Sequence, residues 1–291
     1  MTVTSNSIVV GVDGGDESKA AQAWGLQEAR VRNMSLRLVS AYRWVPSAGA
    51  APMYIDNAWV SIDELRKLAA DNVERAREQL AEVDGSVETT GEAVDGSASD
   101  VLVRESDSAA IVVLGSRQLG ATGSFLLGSV GTAVAARAGC PVVVTRGPAG
   151  YPAEGARVVV GVDGSPASQP VLEFAFEEAS LHGVALTAVL CWRPSPLRPS
   201  TWLGQGAERA RQQAEVWLSE ALAGWREKFP DVEVASHVHD GQPVPTLVEE
   251  STAQYLLVVG KRGLGQVAGT VLGSVSQGVL HNATCPVAVV G

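Results

Sequence analysis

Two glycine-rich stretches in this 291-residue chain have the residue types of an anion cradle. The later one reads Gly260-Lys261-Arg262-Gly263, then nine residues, then Gly273-Ser274-Val275-Ser276. The earlier one reads Gly115-Ser116-Arg117-Gln118, then nine residues, then Gly128-Ser129-Val130-Gly131. Each follows a short apolar run and ends where a helical pattern starts. Backbone N–H groups and a serine hydroxyl would then converge on one point, the geometry that holds a phosphate. One such loop alone says little, because turns need glycine anyway. The same spacing occurs twice, each time with an Asp (Asp13, Asp163) at the end of the first strand of its half, and that recurrence favours a ligand site. It is neither the Gly-Lys-Ser/Thr phosphate loop nor a Gly-x-Gly-x-x-Gly after the first strand.

Other reactive residue types carry less. His237 and His239 lie two apart on an expected strand, hence on one face, with Asp240 next. That spacing suits a metal, but no third ligand is evident in the sequence and no metal site is expected. All four histidines fall in the second half, and no Ser/His/Asp or paired-carboxylate arrangement recurs, so no catalytic residue is assigned. Lys261 and Arg262 read equally as phosphate ligands or as solvated cations. Cys140 and Cys285 each precede a proline at equivalent positions and read as packing residues. With Cys191 they are too few for a disulfide framework or a Cys-rich zinc site. Trp192, Trp217 and Trp225 read as core or interface.

The elements that must position these loops come from an internal repeat. Val9-Val10-Gly11-Val12-Asp13-Gly14 recurs 150 residues later as Val159-Val160-Gly161-Val162-Asp163-Gly164. Leu127-Gly128-Ser129-Val130 and Cys140-Pro141-Val142 recur 145 residues later, so five residues are lost between about Arg193 and Gly260. The seam Gly147-Pro148-Ala149-Gly150-Tyr151-Pro152 has linker composition. In the first half, strands are expected near 8–13, 36–43, 86–93, 110–115 and 141–145, and helices near 16–32, 61–83, 98–107 and 128–138. In the second, strands are expected near 157–162, 184–192, 232–239, 255–260 and 286–290. Its helices are expected near 166–182, 203–228, 244–253 and 273–283. Ser61 and Glu64 have capping-box spacing. Ala207, Ala210, Ala214, Trp217, Leu218, Ala221 and Trp225 form one apolar helical stripe. The unbroken runs 110–114 and 256–259 suit strands covered on both faces. Alternating β/α units of this kind predict a doubly wound parallel α/β sheet in each half, with ligands at the carboxyl ends of the strands.

Composition narrows the function classes. The chain is 46% apolar and 19% charged, which fits a folded globular protein and, at this length, two domains. A net charge of -10 without a basic cluster disfavours nucleic acid as a partner. No apolar run approaches the length of a membrane span. Residues 1–7 show no signal peptide, and a reducing, cytoplasmic setting is expected.

Gly-x2-Gly-x9-Gly-Ser after the fourth strand, with Val-Gly-Val-Asp-Gly-Ser at the first, resembles the universal stress protein family in its ATP-binding branch. The resemblance implies two tandem Rossmann-like domains of five parallel strands each, 1–147 and 156–291, joined by a linker at 148–155. It implies ATP as the ligand, with or without Mg2+, and a regulatory role in stress response or growth control rather than catalysis. It also implies a pseudo-dimer of the halves, a further homodimer through the last strands, and an unidentified protein partner. Gly11, Val12 and Asp13, with Gly161, Val162 and Asp163, would meet the adenosine. Val39 and Ala41, with Val189 and Cys191, would line the adenine pocket. Gly115, Arg117, Gly128, Ser129 and Val130 would hold ribose and phosphates in the first half. Gly260, Arg262, Gly263, Gly273, Ser274, Val275 and Ser276 would do so in the second. The first half departs at Gln118, where the motif has glycine, and at Gly131, where it has a hydroxyl. A left-handed backbone at Gln118 would cost roughly 1–2 kcal/mol. A lost phosphate hydrogen bond would add about 1.5–3 kcal/mol. Together these weaken the first site on the order of a hundredfold and rank the second site first. An adenylating or ATP-hydrolysing enzyme of the same ancestry, or a scaffold with vestigial pockets, is the alternative.

Overall fold

A computed structural model describes residues 7–43, 54–55, 58–59, 61–119, 124–126, 128–146, 152–192, 205–263 and 272–291. Half of the expected linker and most of both nine-residue loops lie outside these residues, as do the side chains of Arg117, Gln118 and Ala207. The chain divides into two compact units, Met1–Gln118 with Leu127–Gly150, and Tyr151–Gly291 with Leu119–Leu126.

The first unit runs β1 (Ser7–Gly11), α1 (Asp16–Arg32), β2 (Ser35–Tyr42), a small antiparallel pair β3 (Tyr54–Ile55) and β4 (Ala58–Trp59), then α2 (Ile62–Val83) and β5 (Thr89–Asp95). The chain continues with α3 (Ala98–Glu105), β6 (Ile111–Gly115), a second small pair β7 (Arg117–Leu119) and β8 (Ser124–Leu126), of which β8 is grouped with the second unit, and then α4 (Ser129–Arg137) and β9 (Val142–Thr145) of the first. The second unit runs β10 (Arg157–Val162), α5 (Ser168–His182), β11 (Ala185–Trp192), α6 (Gln205–Lys228), β12 (Val234–Asp240), α7 (Pro243–Glu250), β13 (Leu256–Gly260), α8 (Ser274–Asn282) and β14 (Val287–Val290). The two small pairs are additions to the expected pattern. They are too short to carry a periodicity that sequence could show.

Within the first unit the strands lie side by side as β9-β6-β1-β2-β5, all parallel. Within the second the order is β14-β13-β10-β11-β12, again all parallel. Both faces are covered, which explains the unbroken apolar runs. Ile8, Val10, Leu36, Leu38, Val112 and Val113 are wholly buried in one unit, and Val158, Val160, Leu256, Leu257 and Val258 in the other. Alternate residues of β1 serve opposite helices. Val10 meets α1, where a Cβ on Gly25 would lie 2.5 Å from Val10 Cγ2. The next residue, Gly11, faces α3 instead, and its Cβ would lie 2.8 Å from Leu114 and 3.3 Å from Leu102.

Local chemistry sets the element ends. Ser61 accepts from the Glu64 N–H at 3.2 Å while Glu64 accepts from the Ser61 N–H at 2.7 Å, the capping box its spacing predicts. α1 and α5 each stop at a left-handed residue, Asn33 (φ 52°) and Gly183 (φ 62°). At both ends the residue beyond donates back into the last turn, Met34 to the Ala29 carbonyl and Val184 to the Ala179 carbonyl. α7 begins at Pro243, whose fixed φ suits a first helical position, and ends three residues earlier than expected. Trp225 stacks on Phe176 and Phe229 beneath the stripe of α6, with Leu218 and Leu222 buried beside it.

Two mid-helix glycines separate packing from propensity. Gly25→Val is expected to lower the urea-unfolding free energy by about 2 kcal/mol through overpacking against Val10. Gly224→Ala is expected to raise it by about 0.5–1 kcal/mol, since a Cβ there meets no described atom within 4 Å.

Candidate functional site

The chain winds outward from β1 through β2 to β5, then returns to place β6 and β9 on the other side of β1. Helices on the two sides of that reversal diverge, so a crevice opens beyond the carboxyl ends of β1 and β6. Asp13 follows β1 and the Gly115 stretch follows β6, so both reach that crevice. β10 and β13 do the same for Asp163 and the Gly260 stretch.

In the second unit the convergence is close. The Asp163 Oδ1 atom accepts from the Ser165 N–H at 3.0 Å and from the Ser168 hydroxyl at 3.1 Å. A Cβ on Gly263 would lie only 2.3 Å from Asp163 Oδ2, so glycine is required there by the carboxylate pressed against it. The backbone at Gly263 is not left-handed, which corrects the expected reason for that glycine. The Gly273 N–H donates to the Lys261 carbonyl at 2.9 Å, and the Lys261 N–H to the Val290 carbonyl at 2.7 Å, so both ends of the loop are tied to the sheet edge. In the first unit Asp13 Oδ1 accepts from the Gly15 N–H at 3.0 Å, and Gly115 approaches the start of α1, where a Cβ would lie 2.2 Å from the Glu17 carbonyl oxygen. Both aspartates thus also act as local acceptors at the strand-to-helix turn.

Helices α4 and α8 each begin at the crevice of their own unit with a glycine cap. Gly128 and Gly273 are extended and supply no side-chain hydrogen bond. The first intrahelical bonds at these ends are Thr132 N–H to the Gly128 carbonyl and Gln277 N–H to the Gly273 carbonyl. The N–H groups of 129–131 and 274–276 precede them and have no intrahelical acceptor. That donor cluster, with the positive end of the helix dipole, favours an anion. Among the described residues, no atom lies within 4 Å of a Cβ built on Gly128.

The remaining expected site residues divide by exposure. Ser129, Ser274 and Arg262 are exposed, and Val130, Val275 and Lys261 partly so. Ala41 and Cys191 are half-open at the ends of β2 and β11, whereas Val12, Val39, Val162 and Val189 are buried and serve the core. Burial pushes the Cys191 thiol up, a hydrogen bond with Thr246 pulls it partly back, and the Glu250 charge adds to the rise. Gly11 and Gly161 are required by packing, the latter against Leu247 at 2.9 Å. Ser276 differs from its expected role. It is buried, and its hydroxyl donates to the Gly260 carbonyl, so it staples helix α8 to the end of β13. Gly131 offers no such hydroxyl in the first unit.

Two residues that the sequence reading missed stand at the turn after the first strand. Gly14 (φ 79°) is approached by Asn72, whose Oδ1 would lie 2.6 Å from a Cβ, and Gly164 (φ 85°) by the Trp217 ring at 3.6 Å. They are equivalent by the 150-residue offset, which was the available signal. Loss of the staple is measurable. Ser276→Ala is expected to lower stability by about 1–2 kcal/mol, read from the urea midpoint, because a part-buried carbonyl loses its donor.

Comparison with known proteins agrees with this architecture. The sequence profile of the universal stress protein family matches residues 4–146 and again 156–291. A universal stress protein of Mycobacterium tuberculosis is 40% identical over 288 residues, covering 98% of this chain and 96% of that protein. One from Mycolicibacterium smegmatis is 37% identical over 303 residues, covering 99% and 98%. The crystal structure of a universal stress protein from Archaeoglobus fulgidus matches with a TM-score of 0.69 over 98% of both chains, at 18% identity, a likeness of fold. With the profile matched in both halves and relatives aligned over nearly their whole length, this chain belongs to the universal stress protein family as a tandem pair of its domains.

Proposed function

We propose that this protein is an ATP-binding regulator that responds to nucleotide without turning it over. The observation that carries the reading is the meeting of Asp163 with Gly263 at the switch point of the second unit, beside the glycine-capped start of α8. Adenosine belongs toward Asp163 and the half-open Cys191, and the phosphates toward the free first-turn N–H groups of α8. In the first unit Asp13 and Ala41 take the adenosine, and α4 the phosphates. Arg262, exposed beside Gly263, supplies the cation for the phosphates of the second site. The first site is the weaker, since no side chain would fit where Gly263 meets Asp163 and Gln118 stands at the equivalent position. We assign no general base, and with it no catalytic step. A homodimer, expected from the family resemblance, and a cytoplasmic setting, expected from the cysteine content and from residues 1–7, are part of the same proposal.

A carboxylate placed at the cap glycine tests this directly. A Cβ at Gly273 would lie 3.3 Å from the Lys261 carbonyl oxygen, its nearest described atom, so the loop must give by a few tenths of an ångström to admit a side chain. Gly273→Glu is expected to weaken the tighter ATP site, read by calorimetry, by about a hundredfold or more, with an unchanged circular dichroism spectrum. Gly128→Glu is expected to do the same to the weaker site. A double variant that still binds ATP like the parent would remove the phosphate assignment.

A further inference from the structure

The second unit carries a cluster outside the nucleotide crevice that its first-unit counterpart lacks. His237 and His239 lie on β12, an edge strand of the unit, and strand periodicity turns both rings to one face. The short turn after Asp240 sends α7 back over that face, and Glu250 at its last turn reaches both rings. His237 Nδ1 lies 3.1 Å from Glu250 Oε1, and His239 Nε2 lies 2.8 Å from the same oxygen. The three ligating atoms all fall within 4.8 Å of one another. Glu250 is the third ligand that the sequence left unidentified, because only the return of α7 brings it there.

The first unit shows what this position normally holds. Glu105 is the counterpart of Glu250, and Glu92 and Val94 are the counterparts of His237 and His239. There Arg37 supplies a positive charge between two carboxylates, with Nε 2.7 Å from Glu105 and Nη2 2.8 Å from Glu92. The hydrogen bonds to Glu105 and Glu92 raise the guanidinium pKa further against its partial burial, so that charge is permanent. In the second unit the arginine is replaced by Thr187, which is buried and uncharged. Among the described residues, the hydrogen-bond partners of Glu250 are the two imidazoles. Two nitrogens and a carboxylate, with the resident cation removed, are the donor set of a borderline divalent metal.

We propose that His237, His239 and Glu250 form a Zn2+-class metal site on the β12–α7 face of the second unit. A carboxylate only accepts, so each imidazole now presents an N–H to it. On metal binding each proton moves to the other ring nitrogen, and the lone pair facing Glu250 becomes the ligand, with no net proton change for neutral rings. Tetrahedral bonds of about 2.0–2.2 Å would set neighbouring donors about 3.3 Å apart, close to the spacing between each ring and the carboxylate. The side chains of His237, His239 and Glu250 are 45%, 38% and 21% exposed, so the metal reaches them from solvent and water completes the coordination. The site is independent of the nucleotide reading.

The test is calorimetric titration of tag-free, chelator-stripped full-length protein with Zn2+, and with Co2+ read by its visible absorption. One Zn2+ per chain at this site is expected, with the Co2+ spectrum of a low-coordinate nitrogen and oxygen site. His239→Ala and Glu250→Gln are each expected to weaken binding by about a hundredfold or more, beyond what loss of an outer-shell partner costs. His281→Ala is expected to leave binding unchanged. The variant side chains are partly exposed, and melting curves without metal are expected to match the parent. Failure of the parent to bind micromolar Zn2+, or equal binding by the His239→Ala/Glu250→Gln double variant, would overturn the proposal and leave an ordinary imidazole–carboxylate hydrogen-bond cluster.

Discussion

Both units depend on the reversal of winding at their first strand. A parallel sheet buried on both faces needs crossover helices, and right-handed crossovers place them on one side or the other according to the direction of winding. In each unit the direction changes at the first strand, so α1 and α5 cover one face while α3 and α7 cover the other. The crevice beyond the carboxyl ends of the paired first and fourth strands is where the backbone can be reached. The residues assigned to ligand binding gather there: the aspartate after the first strand, the glycine stretch after the fourth, the helix that the stretch leads into, and Ala41 or Cys191 near the end of the neighbouring second strand. Glycine appears there because backbone and carboxylate approach closer than any side chain permits, at Gly115 against the start of α1 and at Gly263 against Asp163.

Much of this was legible because parallel strands and their crossover helices have distinct periods. The expected helix at 16–32 and strand at 157–162 have the observed limits, and the capping box at Ser61 was readable from two residues three apart. The repeat supplied the rest, since a pattern found twice in one chain is hard to attribute to turn chemistry. What stayed hidden was set by tertiary approach. The reason for Gly263 is a carboxylate a hundred residues earlier in the chain, and Ser276 turns inward to Gly260 because the end of β13 lies beneath α8. Neither has a local signature. Four buried valines were expected at the ligand because the strands were placed correctly but their burial was not read.

The two halves also act as internal controls for each other. Where a residue type is kept in both, as with Asp13 and Asp163 or Gly128 and Gly273, the geometry around it is kept, and the shared role follows from shared constraint. Where they diverge, the chemistry diverges with them. An arginine between two glutamates in one half faces two imidazoles on one glutamate in the other. A glycine with a carboxylate against it in one half is a glutamine on an extended strand in the other. The copies therefore share a fold and a crevice while differing in what each crevice and each edge can hold.

The central claim is that the crevice of the second unit holds an adenine nucleotide. Native mass spectrometry of the purified chain, followed by denaturation and chromatography of what is released, counts that nucleotide per chain. The account predicts at least one ATP, with a second on addition of ATP if Gln118 leaves the first crevice open. A chain that is isolated empty and takes up no added ATP at millimolar concentration would contradict it.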